Sequence, residues 1–352
     1  MTRSYLALVA SVAFVASVAF VACSTSSKSN DAPPPAPSAV PTNANPGESP
    51  PSKMKPKDPT TQMTVGVDAE DFSSAGYRLD AVEVQAKIDG LVAADKTFDL
   101  EAGALFPHEV HLVAPQDKPD AVVELTVTAR MNGTPVVIRK ATTRFVPGTT
   151  KLLYVLLELR CNDFQLLGGG APSGPSCTNP GETCIGAKCR SDAVAALPDY
   201  TSDWAANPPS SCGTDPFPQL LLGKGETAFA AIGSGDSLPV ECGPQGGHHI
   251  WLSLRMKSLR QIGTVTTISA EQPGGGPVVP ATAFAYSWAP SDAATCELVG
   301  LRFQLDVGTV KVADLLGKPL DITVNAKDKA GHDVTTVAHV VVDAAPTGMF
   351  CR

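Results

Sequence analysis

Clustered lysine and arginine are missing from this chain. Its 352 residues hold 27 Lys and Arg against 35 Asp and Glu, a formal net charge of −8. Phosphate backbones are gripped by clustered cations, so this balance argues against nucleic acid, and equally against electrostatic adhesion to anionic lipid. Helical periodicity of useful length is also absent, which turns the fold away from helix bundles and alternating α/β architectures. Beyond the N-terminus no apolar run approaches membrane-spanning length. There is no C-x2-C pair, no H-x-H and no H-E-x-x-H, so the common zinc patterns are lacking. No complete catalytic set can be assembled from the motifs that are present. The expectation is a chain without a cofactor, and without an enzymatic role.

What the chain does have begins at residues 4–23, SYLALVASVAFVASVAFVAC, in which a single cation, Arg3, precedes an apolar run ending at a cysteine. This is the pattern of a secretory signal, residues 1–22, closing on a lipobox-like FVAC. Cys23 then becomes the lipid-modified first residue. The run is long because SVAFVA occurs twice, so an uncleaved membrane-spanning anchor is the competing reading. Both leave the bulk exported. Ser24, rather than Asp, follows Cys23, which favours outer-membrane placement. Residues 23–62 are rich in Pro, Ser, Thr and Asn and read as a semi-rigid tether without a core.

Residues 63–160 carry seven short apolar-periodic runs, expected as strands of one β-sandwich. They centre on residues 63–67, 79–88, 96–100, 109–113, 123–129, 136–145 and 152–159. Residues 161–199 change to Gly, Pro, Ser and cysteine, and must be held by bridges rather than by a core. Residues 200–352 are expected as a second, larger β-rich sandwich. Its runs lie at 227–232, 250–256, 263–270, 281–286, 298–305, 320–326 and 334–342, and the last two form a hairpin around residues 328–331. One short helical turn is expected at 312–316. The fold class is therefore all-β, two sandwiches joined by a disulfide-rich segment.

Setting Cys23 aside leaves Cys161, Cys177, Cys184, Cys189, Cys212, Cys242, Cys296 and Cys351. An even count in an exported chain reads as disulfides, with connectivity left open by the sequence. The spacing groups four cysteines before residue 190 and four after it, pointing to two self-contained sets. A bridge from Cys351 would pin an end that otherwise frays.

Several motifs invite chemistry. Gly235-Asp236-Ser237-Leu238 spells the nucleophile block of GDSL-type esterases, with His332 as a distant base. The block lacks its G-x-N-D partner, Pro239 follows at once, and a turn is the plainer reading. His248 and His249 look like a metal pair, but neighbours on a strand point to opposite faces. Asp328 and Asp333 are too few oxygens for calcium. Gly168–Gly170 and Gly274–Gly276 open no helix and read as loops. Tyr286 and Trp288 would share a strand face and could stack on a sugar, the glycan-binding alternative, although core packing suits them better.

The lipobox-like FVAC, the Pro/Ser tether and the insert CTNPGETCIGAKC between β-rich segments together resemble exported bacterial lipoproteins of the myxobacterial type. The closing hairpin, residues 320–343, resembles the last two strands of immunoglobulin-like and fibronectin-like domains. The resemblance covers the organisation of the whole chain but carries no reaction and no catalytic residue. It implies a non-enzymatic surface lipoprotein for binding or envelope structure. Its partners would be a membrane, through the lipid, and a surface protein or glycan. The alternative from another class is a lipid-anchored hydrolase using Ser237 with His332, or a metal at His248 and His249.

Overall fold

Alternation of apolar and polar residues builds nearly every long strand here, because each sheet buries one face and leaves the other to water. The computed structural model describes residues 60–73, 76–103, 105–162, 177, 179–210, 212–243, 246–292, 294–348 and 350–351. The signal segment, Cys23 and almost all of the tether lie outside the described residues, as does Gly168–Gly170. Among the described residues no helix is long and apolar enough to cross a membrane.

The first sandwich is built from β1 (Gln62–Ala69), β2 (Ala81–Ile88), β3 (Leu91–Asp99), β4 (His108–Val113), β5 (Val122–Met131), β6 (Thr134–Arg144) and β7 (Thr150–Leu157). One sheet has the order β4-β1-β7 and the other β3-β2-β5-β6. The pairing of β1 with β7 is parallel over its whole length, Gln62 facing Thr150 and Ala69 facing Leu157. Val82, Val84 and Ala86 from β2 and Val123, Leu125, Val127 and Ala129 from β5 meet Val65, Val67, Leu153 and Val155 across the core. The seven expected runs all fall on these strands. β3 extends further toward the N-terminus than expected. Its first five residues, LVAAD, have no buried face.

A small hairpin, β8 (Glu182–Ile185) and β9 (Lys188–Ser191), follows. Cys161 pairs with Cys184 and Cys177 with Cys189. The first bridge ties the hairpin to a short 3-10 turn, Leu159–Cys161, at the end of β7. Beyond it the chain stays on the first sandwich. The Thr142 amide donates to the Asp192 carbonyl and the Tyr200 amide to the Thr150 carbonyl. The fully buried Trp204 lies over Gly66, where an added Cβ would come within 2.8 Å of the indole. Residues 200–207 were expected with the second domain. They are a cover for the first, because Trp204 and Tyr200 both hydrogen-bond to Glu109 of β4, and Ala206 and Asn207 at their end also accept from Arg260 of the second sandwich.

The second sandwich comprises β10 (Gln219–Lys224), β11 (Ala230–Ala231), β12 (Asp236–Leu238), β13 (Glu241–Cys242), β14 (His248–Lys257), β15 (Val265–Glu271), β16 (Val278–Phe284), β17 (Ala289–Pro290), β18 (Cys296–Gln304), β19 (Pro319–Lys327) and β20 (Asp333–Val342). One sheet runs β11-β10-β14-β18-β17, with β13 paired to β14. The other runs β12-β20-β19-β15-β16. Their inner faces enclose a core around Ile250, Leu252, Leu254, Trp288, Leu298, Ile322 and Val324. The expected turn at 312–316 is a 3-10 turn, Val312–Asp314. Strand β10 was not anticipated, since LLL between prolines and glycine shows no alternation, yet it pairs along β14. Cys212–Cys296 and Cys242–Cys351 lie within this sandwich, so the eight cysteines form two separate sets. Both sandwiches and the hairpin belong to one compact unit.

Candidate functional site: the charged junction

The sequence-derived candidates turn out to be structural. Ser237 sits on β12, exposed and parallel to the end of β20. Its hydroxyl donates to Asp343, not to a histidine. The neighbouring Asp236 receives Lys224 Nζ at 2.9 Å and the Gly233 amide at 3.0 Å. The block is thus a strand edge rather than a strand-to-helix elbow. His332 is bound elsewhere, its Nδ1 2.9 Å from Asp328 Oδ2. Asp328 also accepts the amides of Arg260, Ala330 and His332. Burial alone would raise its pKa, but these donors hold it below the usual carboxylate range. Asp328 therefore ties the hairpin tip to the 258–263 loop. The two groups line a cleft of about 440 Å³ with Pro208, Ser258 and Arg260.

His248 and His249 diverge, as alternation on a strand requires. His248 Nδ1 lies 3.0 Å from Asp306 Oδ2. His249 packs edge-on against Trp251, 4.9 Å between ring centres, and burial depresses its pKa. Among the described residues no group of three or more His, Cys, Asp or Glu is placed to hold a metal. Tyr286 and Trp288 form no stacking platform and pack into the cores, the reading preferred for them from sequence. Trp288 is fully buried, and Tyr286 packs against both cores.

The densest polar constellation is one the sequence did not reveal. It lies where the first sandwich, the hairpin and the second sandwich meet. Glu70, just after β1, accepts the Leu159 amide at 2.5 Å through Oε2 and the Ser287 amide of the second sandwich through Oε1. Arg160 donates to the Val299 carbonyl, and its guanidinium stands 5.7 Å over the Tyr286 ring. Glu158, only 5 % exposed, accepts the Gly186 amide of the hairpin at 2.6 Å. Arg190 donates to the Pro290 carbonyl at 2.6 Å. Lys188, Arg190 and Arg255 surround the carboxylate of Glu297 at 3.4–3.8 Å.

The hairpin is consequently a rivet. It is bonded to one sandwich through Cys161–Cys184 and Glu158, and to the other through Arg190 and Glu297. Gly186 makes the closest approach. Its φ is +61°, and a Cβ there would overlap that of Ala289, so only glycine can turn the hairpin at this distance.

Burial governs the electrostatics of the junction. It pushes the Glu158 carboxyl up to about 7, against the opposing pull of Arg139. Glu70 and Asp68 are also raised, chiefly by burial. Arg139 and Arg160 are lowered for the same reason. Two nitrogens of Arg139 and the hydroxyl of Tyr154 have no hydrogen-bond partner among the described residues. One signal could have exposed the site. In LLYVLLELRC a charged residue interrupts a strand that is otherwise apolar on both faces, directly before a second charge and a cysteine.

No family model matches the chain, and no curated protein matches it. Among solved structures, one similarity is to a structure concerned with host cell surface retention of a 1.5-MDa bacterial ice-binding adhesin. It has 12% identity over 82% of this chain and 99% of that chain, with a TM-score of 0.15. Another is to a Ca2+-stabilized adhesin that helps an Antarctic bacterium reach out and bind ice. It has 13% identity over 80% of this chain and 75% of that chain, with a TM-score of 0.14. At such TM-scores the likeness carries no argument about fold or function.

Proposed function

We propose that this chain is a non-enzymatic surface lipoprotein, anchored through Cys23, whose paired sandwiches serve as a binding or envelope-structure module. The observation that carries the reading is the riveted junction. It joins two all-β bodies into one unit through a hairpin disulfide-bonded to the first, an ion cluster and backbone hydrogen bonds. Such a build favours fixed presentation of a surface over the movement of a catalytic lid. Four disulfides suit an oxidising compartment outside the cytoplasm. The side chains that suggested hydrolysis or metal binding are engaged in turns and strand edges. The FVAC segment and the tether supply the attachment and the stand-off.

The test is palmitate labelling and membrane fractionation of the native protein and of Cys23→Ser, together with protease shaving of intact cells. Lipid on the wild type, release of the variant and loss of the folded part on shaving support the reading. A wild-type protein that takes no label, or that shaving leaves untouched in intact cells, overturns it.

A further inference from the structure

We propose that the junction is an acid-locked hinge: with Glu158 uncharged the hairpin rivet holds the two sandwiches together, and ionisation of Glu158 loosens it. Glu158 closes β7 and reaches across to the Gly186 amide, so the hairpin is seated on the first sandwich through this side chain and the Cys161–Cys184 bridge. The hairpin in turn seats the second sandwich through Arg190 on the Pro290 carbonyl and the ion pairs to Glu297.

The charges facing Glu158 offset it poorly. Arg139 on β6 is its counter-charge, but that guanidinium is itself buried, and its Nε and Nη1 make no hydrogen bond. Glu70, beyond β1, faces it with the same sign. Arg160, on the 3-10 turn, is drawn away to the Val299 carbonyl and the Tyr286 ring. Tyr154 on β7 stands among Asp68, Glu70, Glu158 and Arg139 with its hydroxyl unpaired. From the second sandwich, Lys329 faces Asp68. Ionising Glu158 thus puts a negative charge on a side chain only 5 % exposed, beside the desolvated Arg139 and the like charge of Glu70. An unpaired buried charge is costly, and opening the junction to water relieves the cost.

The sign follows from linkage. Glu158 binds its proton more tightly in the closed junction than in water, where its ordinary value is 4.5. The stabilisation is therefore complete below that value and is lost as pH rises through about 7. This is the reverse of ordinary acid denaturation, in which paired carboxylates lose their partners as pH falls.

Hydrogen exchange on the full chain at pH 6 and pH 8, corrected for intrinsic exchange, tests the proposal. The reporters are the Gly186, Leu159 and Ser287 amides, each bonded to a junction carboxylate. The Leu254 amide in the second core is the control. Protection of the reporters is expected to fall roughly tenfold between these pH values while Leu254 holds. In Glu158→Gln the side-chain carbonyl still accepts the Gly186 amide but cannot ionise. Protection at pH 8 should then stay at the wild-type pH 6 level. Reporter protection that is flat or rises with pH in the wild type overturns the hinge, and so does an unchanged fall in Glu158→Gln. If that variant fails to fold, the wild-type profile decides alone.

Discussion

The first sandwich has no bridge between its strands. Six of its seven strands contribute buried side chains, and its parallel β1–β7 ladder joins the beginning of the unit to its end. In the second sandwich, β11, β12, β13 and β17 are two or three residues long, and Cys212–Cys296 and Cys242–Cys351 span 84 and 109 residues. Regular alternation makes a self-sufficient sheet. Where turns and short strands break the alternation, covalent links restrict the unfolded chain instead.

Reduction separates the two most widely. Replacing Cys212 and Cys296 with alanine should cost about 3–5 kcal/mol by the loop-closure argument, whereas Cys177→Ser with Cys189→Ser, closing a short loop, should cost about 2–3 kcal/mol. Denaturant unfolding of both variants measures this. Equal losses would show that the second sandwich does not depend on its long bridges. Under reductant, limited proteolysis should open the second sandwich before β1–β7.

The first sandwich has its own point of fragility. Gly66→Val would drive a branched side chain into Trp204 and Leu152, for a loss of about 1–3 kcal/mol by overpacking. Trp204 fluorescence should shift to the red as the indole is displaced. A neutral result would mean that the cover formed by residues 200–207 is loosely seated. The smallest effect is expected at Ser237→Ala. The hydroxyl is exposed and bonded only to Asp343, so stability should move by no more than about 0.5 kcal/mol. A large change would give the GDSL block a role that its partners do not suggest.

The same contrast explains what could be read from sequence. Val82, Val84 and Ala86, or Val123, Leu125 and Val127, announce a strand and its buried face together, because the side-chain period of two is written in the residues. β3 was read short because an edge strand exposed on both faces has no such period. β12 was hidden inside a familiar tetrapeptide. The junction was less legible for a different reason. Glu70, Arg139, Glu158 and Ser287 are far apart in the chain and become neighbours only when two cores and a hairpin have packed. Periodicity says which way a residue points, not which distant charge it will meet.

The β1–β7 ladder has a mechanical consequence. The chain enters β1 at Gln62 and leaves β7 at Leu157, the opposite end of the paired strands. Traction applied at residue 60 against the rest of the molecule therefore slides the two strands past one another along their axis. All eight paired positions bear the load together, whereas an antiparallel hairpin pulled at its open end would peel one bond at a time. The first sandwich is therefore oriented to resist traction between residue 60 and the rest of the molecule.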